Sequence, residues 1–102
     1  MDEYGKEAGR KLDELVEYKV MGSELQGVAY NFYSTTWEGM RLVVERMRKL
    51  GFTPSMEQAF TGEKWTAYFD INKSSGWVTG SAATLPHAVC LAALAAVSKE
   101  KA

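Results

Sequence analysis

The 102-residue sequence predicts one domain of the α/β (α+β) class, an antiparallel sheet sandwiched by helices in the order α-β-α-β-β-β-α. Three observations carry that prediction. Apolar residues recur at spacings of three and four through residues 37–50, as a helix with one buried face requires. Residues 64–71 alternate, with Trp65, Ala67, Phe69 and Ile71 against Lys64, Thr66, Tyr68 and Asp70, which is the period of a half-buried strand. From Leu85 the run "LPHAVCLAALAAV" is apolar around most of a helical circumference and belongs in an interior.

Each element follows in turn. Residues 4–21 set Ala8, Leu12, Leu15, Val16 and Val20 on one helical face, with Asp13, Glu14 and Glu17 opposite, and Gly22 ends the run. Gly27 to Tyr33 alternates, Val28, Tyr30 and Phe32 against Ala29, Asn31 and Tyr33, and reads as a strand. Thr35 and Glu38 have Thr-x-x-Glu capping-box spacing. Trp37, Met40, Val43, Val44, Met47 and Leu50 then form the stripe of a second helix, closed by Gly51. Residues 52–60 read as a strand that Pro54, lacking a ladder donor, assigns to a sheet edge. "NKSSG" (72–76) is turn chemistry between the 65–71 strand and a last strand over 77–82. On this reading Trp37 and Trp65 belong to the core, whereas Trp77, sharing a face with Thr79 and Ser81, stays exposed. No repeat or linker divides residues 1–102.

Composition narrows the function. Twelve Lys and Arg against thirteen Asp and Glu leave a net charge of −1, so no bulk field draws nucleic acid or an anionic membrane. Any anion site must be local. Cys90 stands alone, which removes a disulfide framework and fits a reducing cytoplasm. The longest apolar run, Ala88 to Val97, is too short for a bilayer, and the N-terminus has no secretory pattern, so a soluble cytoplasmic protein is expected. A chain this short buries about two thirds of its unfolded surface, and a homo-oligomer would bury more. His87 and Cys90 fall short of the ligand number zinc takes, and Cys90 sits in the run expected to be buried, where a thiol is inert. No metal, cofactor or enzyme activity is expected.

Two family resemblances bear on function. From Thr36 onward the α-β-β-β-α order resembles a double-stranded-RNA-binding domain, and "GWVTGSAATLPHAVCLAALAAV" is similar to that family's last strand and Ala-rich helix. The lysine cluster with which that family grips phosphates is replaced here by Ala82, Ala83, Thr84 and Leu85, so duplex binding is not expected. Over nearly the whole chain, "EAGRKLDELVEYKVMG", "YSTTWEGMRLVVERMRKLGF" and "LPHAVCLAALAAV" resemble, in order and spacing, the helical signatures of the phage ABA sandwich domain family. That resemblance implies a small phage or prophage protein acting in an infected bacterial cell. By analogy with phage counter-defence proteins, it implies a sponge that holds an immune signal, a cyclic ADP-ribose isomer of Thoeris or a cyclic oligonucleotide of CBASS.

A sponge needs donors for phosphates and a flat side chain for a base. Helix N-termini supply the donors without net positive charge. Two such ends carry hydroxyls: Ser34, Thr35 and Thr36 before the second helix, and Ser81, Thr84 and His87 at the last. Arg41 and Lys73 offer charge, and Tyr33 and Trp77 offer rings. The two helix ends must meet, within one subunit or across a subunit boundary, for these residues to form one site. Beside this stands a simpler account, in which Thr35 is an ordinary cap and Arg41 pairs with Glu38 or Glu45. A different class is a phage inhibitor that blocks a protein of a host defence complex, its acidic first helix facing a basic partner.

Overall fold

A computed structural model describes residues 7–23, 31–59, 62, 64–71 and 77–101. Within them the chain forms α1 (Arg10–Leu15), a π-helical segment (Val16–Val20), α2 (Trp37–Lys49), β1 (Phe52–Gln58), β2 (Trp65–Ile71), β3 (Trp77–Ala82) and α3 (Leu85–Lys101). The class is the α+β one the sequence predicts. The predicted strand at 27–33 lies largely outside the described residues. Its described end is turn instead, because Thr36 N–H bonds back to Phe32 O at 3.2 Å. Lys73 and the 72–76 connection also lie outside the described residues.

The first helix does not stay α-helical. After Leu15 its amides reach one residue further back, Met21 N–H donating to Val16 O at 2.9 Å, and Gly22 at φ +84° ends it. Leu12, Val16 and Val20 are buried as expected, but Asp13 and Glu17, expected on the solvent side, border that stripe and are 2% and 7% exposed. α2 follows its predicted stripe in part: Val43 and Met47 are buried, and Gly51 (φ +99°) stands just past its end.

The sheet is antiparallel in the order β1-β2-β3. Phe52 faces Ile71, and Trp65 faces Ala82, so both pairings are in simple register. Pro54 lies on β1, an edge strand, as its missing donor requires. Alternation turns Phe52, Ala67, Phe69 and Gly80 to the helices. α3 packs there along β2 and β3 through Ala88, Val89, Ala92, Ala93 and Ala96, all fully buried. Its approach is so close that a Cβ built on Gly80 would lie 2.5 Å from Ala92 N and 2.6 Å from Ala88 O. α2 covers β1, and the π segment rests on α2 and α3. The opposite face of the sheet is open, with Glu57, Trp77, Thr79 and Ser81 exposed. No helix among the described residues is long and apolar enough to cross a membrane.

Candidate functional site

The stretch from Tyr33 to Trp37 divides into an inner half and an outer half. Tyr33 and Ser34 are buried. Ser34 Oγ accepts from Gly9 N–H at 2.9 Å and donates to Asp13 Oδ1 at 2.7 Å, while Ser34 N–H also donates to Asp13 Oδ1 at 2.8 Å. Tyr33 donates its phenol to Glu17 Oε1. Burial first, then that hydrogen bond to Glu17, pushes the Tyr33 pKa up to about 12, so the ring stays neutral. Neither residue faces a ligand. Both join the loop to the first helix, which corrects their expected roles as phosphate and base contacts. The reason is the pair of buried carboxylates, each of which needs donors once it leaves water.

The outer half caps α2. The cap is Thr36, one residue later than capping-box spacing suggests: Thr36 Oγ1 accepts from Gly39 N–H at 3.0 Å and donates to Phe32 O at 2.8 Å. Gly39 is needed there, because a Cβ on it would fall 2.2 Å from Phe32 O. This packing holds the 32–33 backbone against the first turn of α2. With Met40 N–H taken by Thr36 O, the amides of Trp37 and Glu38 are the first-turn donors the cap does not use. Thr35 is exposed beside them.

Trp37 departs from its expected core position and is 59% exposed. Its ring meets Trp65 edge-on, 6.4 Å between centroids at 85°. Trp37 also borders an open groove of about 410 Å³ with Glu38, Met40, Arg41, Val44 and Met56. The lining is apolar apart from Glu38 and Arg41. Arg41 Nη1 is 2.7 Å from Glu45 Oε2, an exposed pair one turn apart, and such pairs break at little cost. A second cavity of about 340 Å³, between Val20, Arg46, Leu50 and Val97, offers less: Arg46 Nε already donates to Val20 O at 2.9 Å.

The two hydroxyl-bearing helix ends do share one end of the sheet. Trp65, against Trp37, is paired with Ala82, from which the chain turns through Ala83 and Thr84 into α3. Thr84 is exposed, and its carbonyl accepts Ala88 N–H at 3.0 Å; His87 lies half-buried in the first turn. Ser81 and Trp77 go elsewhere. Ser81 stands on the open face, its hydroxyl 3.1 Å from Thr66 Oγ1. Trp77, 54% exposed as expected, is at the far end of the same strand beside Tyr68. Strand alternation and length separate them from α2 within one chain. Cys90 is buried, and burial raises its thiol pKa well above the ordinary range, in keeping with an inert side chain.

Helix N-terminus, exposed indole and groove lie together at one edge of a small α+β domain. Its fold is shared with a solved phage protein from Bacillus cereus ATCC 14579, to which the chain is similar with a TM-score of 0.73 over 87% of this chain and 86% of that one, at 23% identity. At that identity the likeness is one of fold. No family model matches the sequence, and no curated protein does.

Proposed function

We propose that this is a small phage-encoded binding module that holds a nucleotide-derived signal at the N-terminal end of α2 without cleaving it. The carrying observation is Trp37, kept exposed at the mouth of the groove one helical turn before Arg41. A base stacks on the indole, while its phosphates take Arg41 and the unused amides of Trp37 and Glu38, where the helix dipole favours an anion. Thr35 and Thr84, at the same end of the sheet, supply hydroxyls. The groove lies within the roughly 300–1,000 Å³ usual for small ligands. A phage origin is supported by the shared fold of the Bacillus cereus phage protein. The immune signals of Thoeris and CBASS, cyclic ADP-ribose isomers and cyclic oligonucleotides, have the required base and phosphates. Because the groove is open, a second copy meeting this face would enclose the ligand, consistent with a homo-oligomer.

A thermal-shift panel of cyclic ADP-ribose isomers and cyclic di- and trinucleotides tests this. A ligand at a hundred times its Kd adds about 2.7 kcal/mol, which raises the Tm of a domain this size by more than about 10 °C. Heating the complex returns the ligand intact. Trp37→Ala and Arg41→Ala remove the shift and leave the unliganded Tm within a few degrees, since both side chains are exposed. A panel without any shift sinks the proposal.

The apolar lining of the groove, with Phe32 also exposed nearby, favours one other reading: the face presses on a host protein. A host protein retained on immobilised chain, lost with Trp37→Ala and unaffected by added nucleotide, would replace the sponge.

A further inference from the structure

The open face of the sheet carries a second, chemically different set of groups. On it, Trp77 and Tyr68 stand as neighbours on β3 and β2 with ring centroids 6.0 Å apart and planes at 83°, forming an aromatic corner. Each ring has a carboxylate next to it. Asp70 is directly opposite Trp77 in the β2–β3 register, and cross-strand partners bring their Cβ atoms within about 5.5 Å. Glu57 Oε2 accepts the Tyr68 hydroxyl at 3.2 Å from the other side. Neither acid has an ion pair among the described residues, and the described cation on this face, Lys64, stands just before β2 at the opposite end of that strand from Asp70. Two rings and two carboxylates without an ion pair among the described residues repel a phosphate and attract a cation.

We propose that this face docks a partner protein through an arginine side chain, seated on the Trp77 indole and forked onto Asp70. The guanidinium suits the site because it is planar and weakly hydrated. It stacks on an aromatic face while its N–H groups pair with a carboxylate. Tyr68 closes the inner wall, and Glu57 adds charge while holding the phenol in place. Thr66 and Ser81 further along the face offer hydroxyls to the partner's backbone. The proposal does not depend on the α2 groove, which is on the other side of the sheet and takes the opposite charge.

The test is a titration of the full chain with a tetra-arginine peptide, followed through the Trp77 indole N–H and the β2 and β3 amides by NMR. The same peptide made with citrulline serves as control. Saturable shifts confined to this face are expected, weakened by salt and absent with citrulline. Trp77→Ala and, separately, Asp70→Asn reduce affinity about tenfold or more, with melting temperatures near wild type. Arg41→Ala leaves binding unchanged. Equal shifts with the citrulline peptide, shifts centred on α1, unchanged affinity in Asp70→Asn, or perturbation of Trp77 by self-association in the absence of peptide would each overturn the proposal.

Discussion

Ser34 and Thr36 differ by two positions and by everything around them. Ser34 is sealed against Asp13 and Gly9, and Thr36 caps α2 at the surface. Ser34→Ala leaves a buried carboxylate short of a donor and is expected to cost about 1–3 kcal/mol. Thr36→Ala costs about 1 kcal/mol, and the exposed Thr35→Ala less than about 0.5; urea denaturation of the three variants gives the order. The sequence showed that "STT" holds more hydroxyls than one cap needs. It did not show where the surplus goes, because the answer depends on Asp13 and Glu17, acids at the border of the Leu12–Val16–Val20 stripe whose charge implied solvent. Trp37 fails for a related reason. Its place at the head of an apolar stripe implies core, but the stripe meets the edge strand β1 there and runs past the packed interior.

At the level of elements, α2, the three strands and α3 were legible because each has its own period and its own punctuation: Gly51 after α2, Pro54 on an edge, Leu85 opening a helix of small residues. The alanines of α3 have a further consequence. They allow its backbone to lie on Gly80, where an added Cβ would sit 2.5 Å from backbone nitrogen and 2.6 Å from backbone oxygen. Neither atom can swing aside as a side-chain tip could. Gly80→Ala is therefore expected to destabilise by about 3 kcal/mol, lowering the Tm by at least about 10 °C in a calorimetric scan. What local pattern could not supply was the π segment, since the extra residue in its turn has no signal in the apolar spacing.

Across the whole molecule, charge is distributed by face. A net of −1 conceals a sheet face that carries Glu57 and Asp70, neither in an ion pair among the described residues, and, on the opposite side, a helix N-terminus beside Arg41. Composition excluded a bulk basic field and gave no hint of this division. The layering has a consequence in time as well as in space. The unit from α2 to α3 is continuous in sequence and contains the sheet and its cover, whereas α1 and the π segment are attached from outside, by Leu12, Val16 and Val20 and by the bonds of Asp13 and Glu17. A fragment held in that way forms its own cooperative opening unit. In native-state hydrogen exchange, the amides of residues 10–20 should open together at lower free energy than those of β2 and α3. Each opening would briefly expose Tyr33 to solvent while the sheet stays shut.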